Sequence, residues 1–370
     1  MKYEQAQCSL ATAAATTNNT YSCFDLARCI ARAPPNPGDQ GGNVTSSSGT
    51  TRDRMILPMK VYAHGSSSAR LIQRISNQSG IPVQYTANPD EACLFFANTK
   101  DAVQSTESPH FHHGQNHFIL LTNAGDHPFD KTQFEMAALG MMTKSEAHFR
   151  EGYDMSLPLP RLWRPPVDAA VPPRGTAGPR KYLLAFKGSI QDTLQPYYQH
   201  RWLAAEYLWN EEDVVIDVQC KHLNLWGTKR VFAPYDDDSK ESFNDLMLNS
   251  TFGFCPGGSG VSSYRFGEVL SVGGVPVIVP GMVPPLAPEV DWSRCIVVVS
   301  EARIVDMPRL LRSIEPEEVR KRQVECRRLY EAVVKNPDDT TAVAMRIWVE
   351  RIRNAIEFRN HLTALKSDLF

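Results

Sequence analysis

From residue 59 onward the chain is punctuated by short runs of consecutive apolar residues. They are IPVQY (81–85), CLFFAN (93–98) and HFILLT (117–122), then YLLAFKG (182–188), VVIDVQ (214–219), FGFC (252–255), VPVIV (275–279) and CIVVVS (295–300). Runs of this length, apolar on both faces, mark strands covered on both sides in a parallel sheet. MKVYAH (59–64) predicts a further strand ahead of them. Segments with helical spacing lie between: 68–76, 134–142, 201–210, 243–250, 264–272 and 307–314. Strands alternating with helices predict α/β architecture with parallel sheets. The stretch 315–365 is charged and periodic, broken only at Asn336-Pro337, and predicts two long helices.

The pattern occurs in two halves. Residues 1–55 are rich in Ala, Thr, Asn, Gly and Ser and predict an irregular arm, with 56–175 as a first Rossmann-like domain. Residues 157–180 hold seven prolines, a density that no core element tolerates, and predict the link. A second Rossmann-like domain is expected over 176–315, and a helical tail over 316–370.

Composition excludes more than it selects. With 39 basic and 41 acidic residues the formal net charge is -2, so no global field attracts nucleic acid. The first residues lack the basic-then-apolar order of a signal peptide, and no apolar run reaches the roughly 18 residues that span a bilayer. Eight cysteines and N-x-S/T sequons at Asn18, Asn43, Asn77 and Asn249 lean toward a secretory compartment, which leaves two alternatives, an anchor upstream or a cytosolic chain.

The most informative stretch is FCPGGSGVSSYRFGEVLSVGGVPVIVPG (254–281). A strand enters a bend of Gly257, Gly258, Ser259, Gly260, Ser262 and Ser263, then a helix. Glycines permit close backbone approach to a ligand, and helix N-termini suit phosphate. Arg265 can pair with a diphosphate bidentately, and Glu268, one turn on, can accept from ribose hydroxyls. The same spacing also suits a plain strand–loop–helix with a surface Arg–Glu pair. Histidines 110, 112 and 113 lack a second ligand group and do not predict a metal site; Asp236–Asp238 read as a helix N-terminal charge complement.

This stretch resembles the exostosin signature: a strand ending Phe-Cys, a loop, Arg-Phe-x-Glu and a Val-Pro-Val strand. YSCFDLARC (21–29), MKVYAH, EACLFFANTKD (91–101), GQNHFILL (114–121), FREGYDMSLPLP (149–160), KYLLAFKGS (181–189), DVVIDVQCKH (213–222) and DWSRCIVVVSEARIVDMPRLLRSI (291–314) resemble family segments in the same order. In particular the chain resembles the first catalytic domain of heparan-sulfate-type exostosins, over roughly residues 20–335.

The resemblance implies a GT-B fold, two Rossmann-like domains facing across a cleft, and an inverting glycosyltransferase. The donor is a UDP-sugar, with glucuronic acid a candidate sugar, the acceptor is a glycan, and no cofactor or metal is obligatory. Arg265 and Glu268 would hold diphosphate and ribose, with Arg201 and Lys187 adding charge. A base from the first lobe would take the acceptor proton; Asp101, His117, Asp126 and His127 are the candidates. The family also implies bridges Cys8–Cys23 and Cys29–Cys93, and a type II membrane protein of the Golgi or ER lumen; homo- or heterodimerisation stays open.

Two departures stand out. The family's loop after Phe-Cys is basic, whereas this bend is neutral, which motivates the alternative of a non-catalytic subunit that scaffolds a partner enzyme. Gly274 stands where the family often has a cysteine, leaving Cys255 without that partner. The catalytic reading requires the bend to be open toward the opposite lobe.

Overall fold

The computed structural model describes residues 25, 28–29, 58–78, 80–122, 134–142, 144–159, 178–190, 196–208, 212–220, 224–225, 228–229, 243–258 and 260–367. Two parallel sheets organise them. The first holds β1 (Met59–Ala63), β2 (Val83–Tyr85), β3 (Leu94–Asn98), β4 (His117–Leu121), β5 (Ala138–Met142) and β6 (Met155–Leu157), in the order β2-β1-β3-β4-β5-β6. Helices α1 (Gly65–Ser76) and α2 (Ala102–Thr106) follow β1 and β3.

The second sheet repeats that winding. It contains β7 (Tyr182–Ile190), β8 (Val214–Cys220), β11 (Ser250–Phe254), β12 (Val275–Ile278) and β13 (Val297–Val298), ordered β13-β12-β11-β7-β8. A small antiparallel ribbon, β9 (Asn224–Leu225) with β10 (Thr228–Lys229), lies outside it. The helices are α3 (Gln199–Tyr207), α4 (Phe243–Leu248), α5 (Arg265–Ser271), α6 (Met307–Arg312), α7 (Pro316–Leu329) and α8 (Pro337–Ser367). In each sheet the first strand is flanked by the second on one side and the third on the other. The winding therefore reverses between β1 and β3 and between β7 and β11, where open α/β sheets place ligands.

The apolar runs form strands because both faces are covered. Along β4, Phe118 and Leu120 enter the main core, while Ile119 and Leu121 join a second cluster with Phe111, Phe134 and Met141. The expected helix over 134–142 is instead β5. Its Ala, Leu and Met residues favour helix locally, but the segment pairs with β4 and β6 on either side. A Cβ on Gly140 would lie 2.7 Å from the Phe118 ring, so the close strand approach also requires glycine there. The run 295–300 gives only β13, because Cys295 is bonded to Cys326 of α7.

The carboxyl ends of the two sheets meet. Ser145, past β5, bridges Met282, past β12; the Glu146 N–H donates to the Gly281 carbonyl at 2.9 Å and the Val283 N–H to the Lys144 carbonyl at 3.0 Å. Ser156 Oγ of β6 donates to the Val283 carbonyl at 2.7 Å. Helix α8 returns to the first lobe, where Trp348 packs against Phe118 with the rings tilted and centroids 5.4 Å apart. Arg351 of α8 clamps Glu289 with two bonds of 2.6 and 2.8 Å and donates to the Tyr153 and Asp154 carbonyls. This is the GT-B arrangement. No helix among the described residues is long and apolar enough to cross a membrane.

Candidate functional site

The second reversal point gathers most of the residues singled out in the sequence. Lys187 lies inside β7, which runs on to Ile190 rather than ending before it, and Arg265 opens α5 after the β11 bend. Arg265 Nε donates to the Lys187 carbonyl at 2.7 Å, its guanidinium stacks over Phe243 at 4.5 Å, and NH1 is ion-paired with Glu268 Oε2. Glu268 is buried at 1% exposure, so the Arg–Glu pair is not a surface pair. No described residue hydrogen-bonds its Oε1. Lys187 Nζ pairs with Asp217 at 2.8 Å.

The bend itself is closed. Cys255, Pro256, Gly257, Gly258, Gly260, Val261 and Ser263 are buried, while Ser262, Tyr264 and Arg265 are half-buried; Ser259 lies outside the described residues. This corrects the expectation of an open glycine cradle: the condition the sequence set for a phosphate-binding bend is not met, and a donor site would fall instead to the half-buried Arg265 and Ser262 beside it. The glycines serve internal packing. A Cβ on Gly257 would fall 2.7 Å from the Tyr197 Cβ, and one on Gly258 2.8 Å from an Arg201 terminal nitrogen.

Arg201, buried in α3, holds the bend from behind. Its Nε donates to the Gly257 carbonyl at 2.8 Å and NH1 to the Ser189 carbonyl, and it lies over Tyr198 at 5.0 Å. Burial lowers its pKa to about 10, leaving it charged at neutral pH. Among the described residues the buried Ser263 hydroxyl has no hydrogen-bond partner. Cys255, the free cysteine among the described residues, is buried, and burial pushes its thiol pKa up.

The first reversal point lies between β1 and β3. Asp101 follows β3 and accepts from the Ser68 N–H at 2.8 Å and Ser68 Oγ at 2.6 Å, serving the start of α1. Gly65, at φ +75°, makes room: a Cβ there would lie 2.4 Å from the Asp101 carboxyl carbon. His117 is fully buried and engages the Gln115 carbonyl through Nδ1 at 2.8 Å and His64 through Nε2 at 3.1 Å. Burial lowers the pKa of His117 to about 3 and that of His64 to about 4. Asp126 and His127 lie outside the described residues.

His64 is absent from the sequence-derived candidates, having been read only as the end of a strand. Its signal was its position, the first residue past a strand's carboxyl end. Arg180 was missed too. It is half-buried and caps two helix ends, donating to Leu248 and Ser250 and to Val272 and Gly273 carbonyls. Cys29 is joined to Cys93, the pairing implied by resemblance; Cys295–Cys326 was not foreseen, and Cys8 and Cys23 lie outside the described residues. Asn77 and Asn249 are exposed, whereas Asn18 and Asn43 are not among the described residues. No cluster of three metal-binding side chains occurs among the described residues. A groove of about 670 Å³ along Trp292, Val298 and Arg322 shares no lining residue with either reversal point.

A family model for the exostosin GT47 domain matches residues 62–314. The chain is 26% identical over 374 residues to the Exostosin-1 homolog of Caenorhabditis elegans, covering 92% of this chain and 91% of that protein. It is 28% identical over 308 residues to Exostosin-1a of Danio rerio and 26% over 351 residues to Exostosin-1 of Pongo abelii. These alignments cover 72% and 82% of this chain but only 40% and 45% of those proteins, so the chain spans less than half the length of the vertebrate relatives. Among solved structures, the spinosyn rhamnosyltransferase SpnG complexed with spinosyn aglycone aligns over 74% of this chain and 73% of its own at 9% identity. The TM-score of that alignment is 0.25.

Proposed function

The chain belongs to the exostosin GT47 family of glycosyltransferases, and from that premise we propose that it transfers a sugar from a UDP-sugar to a glycan acceptor with inversion and without an obligatory metal. The observation that carries this reading is the half-buried Arg265, anchored to β7 at the second reversal point and held by the buried Glu268. Breaking the donor bond leaves negative charge on UDP. The Arg265 N–H groups not held by Lys187 and Glu268 stabilise it, together with Ser262, Ser263 and the nearby Lys187 ammonium. Glu268 fixes the guanidinium and offers Oε1 to a ribose hydroxyl. Arg201 supports the bend, holding Gly257 and Gly258 in place. Glucuronic acid is the first donor sugar to test.

Residence in the Golgi or ER lumen as a type II membrane protein belongs to the same proposal. The two disulfides support it, since such bonds persist in oxidising compartments.

The test is a UDP titration followed by thermal unfolding, then a hydrolysis screen across UDP-sugars. UDP at 100 times its dissociation constant adds about 2.7 kcal/mol of stability. A folded chain that shows no shift with UDP, and releases none from any UDP-sugar, sinks the donor reading. The burial of the neutral bend favours a second reading, a non-catalytic subunit that scaffolds a partner transferase. It requires no UDP shift together with higher activity of a co-expressed partner exostosin.

A further inference from the structure

Arg265 is the cation on which the donor reading rests, and its bonds within the protein leave most of it available. Nε donates to the Lys187 carbonyl at 2.7 Å, and Nη1 pairs with Glu268. A guanidinium has five N–H groups. Among the described residues none accepts a hydrogen bond from Nη2.

Both of those bonds lie at the edges of a flat group. They fix its place and its rotation in the plane, but they oppose tilting poorly. A hydrogen bond weakens steeply only when its angle drops below about 120°. What opposes tilting is a contact against the flat face, and Phe243 supplies it. The guanidinium carbon lies 4.5 Å from the ring centroid, within the roughly 6 Å of a cation–π contact.

The ring is itself held in place. Phe243 opens α4, is half-buried, and packs on the main core. Leu246 and Met247 of the same helix are buried in that core. Ser250 Oγ donates to the Leu246 carbonyl at 2.6 Å, and Arg180 donates to the Leu248 carbonyl at 3.1 Å, which closes the carboxyl end of the helix.

We propose that Phe243 is a positioning residue of the donor site. It sets the tilt of the Arg265 guanidinium so that Nη2 and the remaining N–H of Nη1 meet the diphosphate of the donor. The ring touches neither the donor nor the reacting atoms and acts through Arg265. Three contacts then divide the work: the Lys187 carbonyl anchors the group, Glu268 turns it within its plane, and Phe243 keeps the plane level.

This proposal rests on the donor reading of the same site, and the experiment separates the two. The full chain is titrated calorimetrically with UDP as wild type, Phe243→Leu, Phe243→Met, Phe243→Tyr, Arg265→Ala, and Phe243→Leu combined with Arg265→Ala. Leucine and methionine keep apolar bulk beneath the guanidinium and lose the aromatic face; methionine decides the outcome if the leucine variant does not fold. Tyrosine keeps the face. UDP affinity should fall about tenfold in Phe243→Leu and stay within threefold of wild type in Phe243→Tyr. In the Arg265→Ala background the leucine substitution should change the residual affinity less than twofold, because the residue it acts through is gone. A purely structural ring would give the same loss with and without Arg265. UDP affinity within twofold of wild type in the folded leucine or methionine variant overturns the positioning role and leaves the donor reading standing, as does a further tenfold loss on the Arg265→Ala background. A folded wild type that does not bind UDP overturns the donor reading, and this role with it.

Discussion

Arg265 and Glu268 form an ion pair in which the carboxylate is buried and the guanidinium remains about a fifth exposed. The arginine therefore keeps a face toward ligand while the acid holds it from behind. Arg265→Ala removes the proposed phosphate contact and leaves Glu268 unpaired in the interior, at a cost of about 3 kcal/mol. The expected result is loss of UDP-sugar turnover and a lowered Tm. Adding Glu268→Gln restores much of the Tm and none of the activity. Calorimetry on the single and double variants, alongside a UDP-release assay, checks both halves.

Arg201→Lys should weaken the bend although the charge is kept. The guanidinium serves two carbonyls and two aromatic rings at once, a geometry an ammonium does not reproduce. We expect a destabilisation of about 1–3 kcal/mol and a weaker UDP-induced thermal shift, read in one titration series.

Acid should unfold the protein through His64 and His117. Both have folded-state pKa values, about 4 and about 3, below the ordinary histidine value. The unfolded chain therefore binds more protons between about pH 6.5 and 4, so stability is present above about pH 6.5 and is lost as pH falls. The slope is about 1.4 kcal/mol per pH unit for each histidine. His200, lowered by burial, acts in the same direction. Urea unfolding at stepped pH measures it, and His117→Phe should flatten the profile.

The Cys295–Cys326 bridge closes a separation of 31 residues and pins β13 to α7. Replacing both with serine should cost about 3–4 kcal/mol by the chain-entropy relation. A Tm insensitive to this double substitution would show that the thiols are unpaired in the folded protein.

Asn77 caps the end of α1 and Asn249 precedes β11, so both lie at the amino ends of their sheets, opposite the carboxyl-end bend. Glycans there leave the cleft clear. Expression in a secretory host should give a mass shift at each of these two sites removable by endoglycosidase, abolished by Asn77→Gln and Asn249→Gln respectively with activity retained.

Most of the fold was legible because the strands are buried on both faces and therefore read as uninterrupted apolar runs. The exception, 134–142, carries strong helix formers, and only its two neighbouring strands and the Phe118 ring against Gly140 make it extended. Of the site, Arg265, Glu268, Lys187 and Arg201 were found from spacing and resemblance, but spacing could not show that Arg201 faces inward or that the glycines pack against Tyr197. His64 escaped notice because its distinction is a partner 53 residues away, which no local pattern records.

The return of α8 has a bearing on how this protein could be re-engineered. Trp348 completes the apolar surroundings of Phe118, and Arg351 satisfies carbonyls at Tyr153 and Asp154. The first lobe is therefore built from both ends of the sequence. A chimera cut at the proline-rich stretch would separate Phe118 from its ring partner unless residues 337–367 travel with the first half. Transplanting only 178–314 between relatives, with the tail left in place, is the exchange the architecture permits.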